Sequence, residues 1–190
     1  MTDLTSNAGT LKKLLQDNKI EDLAKIQQAI TQGFIQGKTL PKVSKDISNV
    51  MDNAGYKADR IARTEFTRTS GAGQYIQSID ALSKGVIIKR KWLATLDNRT
   101  RHNHAALDGQ TVDIGQYFKI AGDQALYPGN FNQAKNSINC RCRVIDVIEG
   151  AEPKLRTGRN PVSGENETFS FKTFDQWAKD NNLKRNKFVS

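Results

Sequence analysis

Cysteine is nearly absent from this chain: 190 residues hold two, separated by one residue, at 140 and 142 in "INCRCR". Thiols two residues apart cannot tie distant parts of a chain together, so a secreted disulfide framework is excluded. They are left as core residues, metal ligands or a redox pair. No run approaches the ~18–20 consecutive apolar residues that a membrane-spanning helix needs, so no membrane anchor is expected. The start, "MTDLTSNAGTLKK", lacks a basic stretch followed by an apolar one, so no secretory leader is expected and a reducing cytoplasm is the default compartment. Nothing resembles a nucleophile elbow, a phosphate loop or a paired-glutamate acid/base site, and no internal repeat is visible.

What is present is an apolar fraction of 37% with 26% charged residues, the balance of a globular chain. The length suits one modest core, or a helical segment plus a small mixed domain. Net charge is +9 and the excess is uneven. Residues 86–143 carry nine Lys/Arg against four Asp/Glu, whereas residues 1–85 carry twelve against nine. Such a surplus favours a polyanionic neighbour, most simply nucleic acid, without specifying base recognition.

The first third reads as helices. Leu23, Ile26, Ile30 and Phe34 recur at helical spacing and Gly37 ends the run. "TLPKVSKDISNVMDNAG" restarts with Thr39 as cap and Pro41 in the first turn, burying Val43, Ile47, Val50 and Met51, with Asn53 and Gly55 as its stop. A third helix runs from about Ala58 through "DRIARTEFTRTSGAGQYIQSI". Its apolar stripe of Ile61, Ala62, Thr69, Gly73 and Ile76 includes Glu65, and an inward carboxylate requires a partner. The small residues Thr69, Ser70, Gly71 and Gly73 would admit a second segment closely, and Arg99 and Arg101 are the candidate partners.

After Gly85 the period becomes alternating. In "VIIKRKWLAT", Val86, Ile88, Trp92 and Ala94 face one way, and Lys89 and Lys91 the other. "DGQTV" with Gly109 starts a short hairpin, "YPGNFNQAKNS" is a surface loop with a type II turn at Pro128-Gly129, and "CRCRVIDVIE" is a second strand. The stretch "GAEPKLRTGRNPVSGENE" is Pro/Gly-rich and reads as a linker or arm. "TFDQWAKDNN" reads as a short capped helix docking through Phe174 and Trp177. The fold class is α+β: an N-terminal helical segment (1–84), a small antiparallel sheet with long loops (85–150), and a linker or arm with a short C-terminal helix (151–190).

"LDNRTRHNHAALDGQ" contains both histidines. The adjacent letters H-N-H do not make a nuclease, because three neighbouring residues cannot converge on one phosphate. A metal site has a better basis. Cys140 and Cys142 project to one side of an extended strand, and thiolate plus imidazole from His104 is zinc chemistry. A fourth ligand would come from Asp97, His102 or Asp108. The alternative stands beside it: two small buried apolar residues, and a histidine bonded to a backbone carbonyl.

"IARTEFTR", then "KWLATLDNRTRHNHAALDGQ", then "YPGNFNQAKNSINCRCRV" together resemble the Mu F-like head morphogenesis family, the minor head proteins of tailed bacteriophages. The resemblance spans about Gly37 to Ile148, with "HxxLDG" and "NCRC" its most specific parts. It singles out Arg63, Thr64 and Glu65; Trp92; Asp97, Arg99, Thr100 and Arg101; His104, Leu107, Asp108 and Gly109; and Asn139, Cys140, Arg141 and Cys142. Some family members have a Cys pair where Arg101 and His104 stand and a histidine shortly before Asn-Cys-Arg-Cys, and look like full zinc sites; this chain has Arg101 in place of the first cysteine and Asn136 where that histidine would be. The resemblance implies a non-catalytic virion protein at the portal vertex, assembled in the host cytoplasm and lodged in the capsid interior. Its partners would be the portal protein, a scaffold or major capsid protein, and DNA contacted non-specifically during packaging or ejection. Arg63, Glu65, Arg99, Arg101, Asp108 and Asn139 would form one structural clasp. The rival readings are a metal-dependent nuclease or toxin-like effector on the same module, and a free-standing nucleic-acid-binding protein.

Overall fold

Three helices come first among the described residues, and their boundaries follow local chemistry. The computed structural model describes residues 20–51, 55–148 and 151–183. Helix α1 (Ile20–Ile35) ends at Gly37, whose φ of +60° lets Lys38 N–H return to the Gly33 carbonyl at 2.8 Å. Helix α2 (Leu40–Val50) starts after an extended Thr39, with Pro41 in its first turn; the Thr39 hydroxyl makes no capping bond. Helix α3 (Gly55–Ser83) begins at the glycine read as a stop for α2; α2 is instead capped at Met51, and Asn53 lies outside the described residues.

Ile26, Ile30, Val43, Ile47, Ala58, Ile61 and Ala62 form the first core, with Phe34 stacked on Phe66 at 4.2 Å between ring centroids. This is the stripe expected of α1 and α2. The stripe of α3 shifts halfway along: Gly73 and Ile76 are exposed, and Gly71, Ala72 and Ser78 are buried instead. The cause is the second partner of α3. A Cβ on Gly71 would meet Tyr127 Cδ2 at 2.9 Å, and one on Gly129 would meet Arg68 Cα at 2.9 Å, so backbone lies against backbone there.

Strand β1 (Lys89–Leu93) is the centre of an antiparallel sheet in the order β2-β1-β5, with β2 at Thr111–Asp113 and β5 at Arg143–Val147. The connection from β1 to β2 is no tight hairpin: residues 94–110 make an excursion containing α4 (His102–Ala106) before Gly109, at φ +83°, turns into β2. Val86 and Ile87 stay exposed ahead of the strand. A two-stranded unit, β3 (Phe118–Ile120) and β4 (Asp123–Ala125), leads into the "YPG" segment. There Asn130 N–H bonds the Tyr127 carbonyl at 3.1 Å around Gly129 at φ +86°, the expected turn. The segment is not on the surface, however. Pro128, Gly129 and Phe131 are buried, and α5 (Ala134–Ser137) buries Asn136 and Ser137.

The stretch read as a linker forms a hairpin, β6 (Leu155–Arg159) with β7 (Asn166–Ser170). Arg159 N–H bonds the Leu96 carbonyl at 2.8 Å, and a Cβ on Gly158 would sit 3.0 Å from Leu96 Cβ. Helix α6 (Phe174–Asp180) follows, opened by a Thr173–Gln176 capping box. Phe174 and Trp177 join Trp92, Leu96, Phe118, Phe131 and both cysteines in a second core. Among the described residues no helix is long and apolar enough to cross a membrane.

Candidate functional site

Most of the residues singled out from the sequence gather in two places rather than in one clasp, with Asp108 apart from the rest and Glu65 and His102 in neither. The first is a cleft of about 250 Å³ lined by Arg63, Arg99, Thr100, Arg101, His104, Asn139, Cys140, Arg141 and Cys142. The glutamate helix, the arginine bend and the thiol segment therefore meet.

Helix α3 contributes through Arg63 and Thr64. Arg63 Nη1 donates to Asn139 Oδ1 at 3.2 Å, and Asn139 N–H donates to the Thr64 hydroxyl at 2.8 Å. Asn139 itself is left-handed, at φ +57°, a conformation asparagine tolerates better than most residues. That turn aims the C-x-C segment inward.

Glu65 is buried as expected, but not against Arg99 or Arg101. Its Oε2 accepts from Arg68 Nε and Nη2 at 2.9 and 2.5 Å, one turn along the same helix. A partner already on the helix requires no second segment to be ordered, so the local pair prevails. Arg99 instead reaches toward solvent, 3.8 Å from Asp97, and Arg101 Nη2 donates to the Ile138 carbonyl at 2.6 Å.

Asp97, expected as a metal ligand, is engaged elsewhere. Its carboxylate takes both terminal nitrogens of Arg141, and its Oδ1 also accepts from Arg99 N–H at 2.9 Å and the Thr100 hydroxyl at 3.1 Å. Burial pushes this carboxyl up, yet the Arg141 bonds and charge, aided by Arg99 N–H and Thr100, hold it below the ordinary carboxylate value. Arg141 is raised correspondingly against its own burial.

His104 is 2% exposed, and its Nδ1 lies 3.4 Å from Cys142 Sγ and 3.5 Å from Cys140 Sγ. His102 heads the same short helix but is exposed and stands outside the cluster. The three ligand atoms of His104, Cys140 and Cys142 lie within 4.8 Å of one another, a donor set suited to a soft or borderline cation. The Cys142 thiol bonds the Cys140 sulfur and His104 adds to it, so Cys140 sits well below an ordinary thiol and Cys142 well above. Asn136 bridges Asp123 at 2.7 Å and Asn103 at 2.9 Å, steadying α4 from behind.

The second place is built on Asp108, which is too far committed to serve a metal. Its two oxygens accept from Arg156 at 2.6 and 2.8 Å, from Ala94 N–H at 2.7 Å and from Phe174 N–H at 2.7 Å. One carboxylate thus ties the end of β1 to β6 and to the start of α6.

Two buried arginines among the described residues escaped sequence reasoning, and Lys91, expected on the polar face of β1, is buried as well, with Glu152 as its partner. Arg156 lies in the supposed linker, where nothing marks it as the partner of Asp108. Arg90 is 1% exposed, donates to the Leu126 carbonyl at 2.8 Å, and lies 3.5 Å from Asp146 and 4.8 Å from the Tyr75 ring centroid. Its signal was readable: position 90 shares parity with Ile88 and Trp92 on the apolar face of β1.

Comparison with known proteins places these motifs. The family model described as Phage Mu protein F like protein matches residues 24–145. The NAD(+)–arginine ADP-ribosyltransferase EFV of Enterococcus faecalis is 35% identical over 170 residues, 90% of this chain and 34% of that protein. The minor head protein GP7 of Bacillus phage SPP1 is 34% identical over 171 residues, covering 90% of this chain and 55% of that protein. An uncharacterized protein of Haemophilus influenzae is 25% identical over 174 residues, 91% of this chain and 34% of that one. The chain thus spans between about a third and just over half of the length of these relatives. No solved structure matches.

Proposed function

Since the chain belongs to the Phage Mu protein F like family, whose bacteriophage minor head proteins serve head morphogenesis, we propose that it acts structurally at the portal vertex and contacts DNA during packaging or ejection. In this reading it is a virion component built in the host cytoplasm, with the portal protein as principal partner and a scaffold or major capsid protein as a further contact. DNA is met through charge rather than base edges.

One observation carries the DNA contact. A groove of about 610 Å³ beside the first cleft is lined by Arg99, Arg141, Arg143, Arg156 and Arg159. Arg99, Arg143 and Arg159 are exposed, and the sole acid lining the groove, Asp97, is occupied by Arg141. Three solvent-exposed guanidinium groups, of which Arg99 makes only a 3.8 Å contact with the already occupied Asp97, gain from releasing phosphate counterions. The test is DNA binding by the chain against salt concentration. Replacing Arg99, Arg143 and Arg159 by alanine should flatten the log–log salt slope by up to ~3, since each phosphate contact contributes about 0.9. An unchanged slope refutes this surface. Pull-down with the portal protein of the same phage tests the vertex assignment.

The enzyme reading draws on the likeness to the Enterococcus transferase. The shared region is about a third of that protein and equally matches a minor head protein, so the likeness by itself carries no transfer chemistry to this chain. The chain is expected to leave NAD+ intact and plasmid DNA uncut with Mg2+, Mn2+ or Zn2+; turnover lost in His104→Ala would establish the enzyme instead.

A further inference from the structure

His104, Cys140 and Cys142 come from two segments that no strand pairing joins directly, α4 and the residues just before β5. All three are at most 5% exposed. A tetrahedral ion with metal–sulfur bonds of ~2.3 Å and a metal–nitrogen bond of ~2.0–2.1 Å sets each sulfur about 3.6 Å from the nitrogen. The observed separations are 3.4 and 3.5 Å, both to the same ring nitrogen, Nδ1. One imidazole N–H can point at only one sulfur with good alignment, so near-equal distances to two are better explained by a shared cation than by a single hydrogen bond.

The surroundings fix the ligands before an ion arrives. The left-handed Asn139, held by Arg63 and Thr64, orients the C-x-C segment, and the Asn103–Asn136–Asp123 chain holds α4. His104 Nε2 has no hydrogen-bond partner among the described residues; there it packs against Phe131 in place of the usual outer-shell acceptor, so the affinity falls short of a fully supported site. Among the described residues no fourth His, Cys, Asp or Glu joins the three. The remaining direction opens on the cleft, whose walls include Arg63, Arg99 and Arg101. Guanidinium groups there disfavour a dication and favour an oxygen anion beside it.

We propose that this chain binds one Zn2+ through His104 Nδ1 and the Cys140 and Cys142 thiolates, with the fourth position open to the arginine-lined cleft and filled by an exogenous oxygen donor. The ion cross-links α4 to the strand that follows the thiols. The inference is independent of the head-protein reading, since it rests on these distances alone.

The test uses the reduced full chain. Zinc content after purification without chelator should approach one per chain, and Co2+ loading should give the sulfur-to-cobalt charge transfer and intense d–d bands of a tetrahedral site. His104→Ala and Cys142→Ser should each lose at least nine-tenths of that signal. Cys140→Ser should weaken it likewise, with all three variants checked for folding by circular dichroism. Adding acetate should shift the d–d bands, because the fourth ligand exchanges. Absence of both zinc and cobalt bands in folded protein, or full bands in His104→Ala, overturns the site. Bands indifferent to acetate overturn the open position.

Discussion

Asp97 and Asp108 stand eleven positions apart, and each draws an arginine from far along the chain, Arg141 and Arg156. Removing Asp108 strands Arg156, whose side chain is 6% exposed, together with the amides of Ala94 and Phe174. Asp108→Ala is therefore expected to cost about 3–5 kcal/mol, read from urea denaturation. A loss under 1 kcal/mol would mean that water substitutes freely. Asp97 makes a separate prediction in pH. Its folded value lies below the unfolded one, so its stabilisation is present above the unfolded pKa and fades as pH falls through the folded pKa. Asp97→Asn should lose stability at neutral pH and show a shallower decline in acid than the parent chain. Parallel acid-denaturation curves would contradict that. At this scale the sequence announced which carboxylates matter, through "LDNRTR" and "HxxLDG", but not their partners. Arg141 was visible as the residue between the cysteines, whereas Arg156 was hidden in a stretch whose composition resembles a linker.

At the scale of elements, α3 is a helix with two different neighbours, and its glycines divide accordingly. Gly71→Ala gains helix propensity but drives a methyl into Tyr127 and the Pro128 carbonyl, 2.9 and 3.2 Å from the new Cβ. A net loss of about 1–3 kcal/mol is expected. Gly73→Ala has nothing within 4 Å, sits exposed, and should stabilise by ~0.5–1 kcal/mol. Thermal melts of the two variants should move in opposite directions; a common direction would mean that the "YPG" segment yields. The helical period revealed α1, α2 and the first half of α3 from the residue pattern. It misplaced the second half because a single stripe was extrapolated past Thr69, where the partner changes from helices to a loop. Alternation likewise found β1 and β5. It missed β6 and β7, in which four of five β7 residues are exposed and leave little apolar rhythm to read.

For the whole molecule, we treat the helical segment as one unit and propose that residues 85–183 act as a second, with the hairpin and α6 as part of it rather than an arm. The second core joins Trp92, Phe118 and Phe131 to Phe174 and Trp177, and Trp177 is 2% exposed. Trp177→Ala is expected to cost ~3–5 kcal/mol and to loosen the packing around the cysteines, which sit in the same cluster. Faster thiol labelling of Cys140 and Cys142 in that variant would report it. Labelling at the parent rate would show that the C-terminal part is a detachable arm.

Local chemistry was enough for the α+β class, the cap at Thr173, the left-handed glycines at 37, 109 and 129, and the identity of the polar signatures, because each depends on neighbours within a few residues. Which distant cation meets Asp97 and which meets Asp108, and that one imidazole nitrogen faces two sulfurs, were decided only when the chain closed on itself. Contacts across 36 to 66 residues carry no period in the sequence, and their geometry is set by how separate segments pack around the second core.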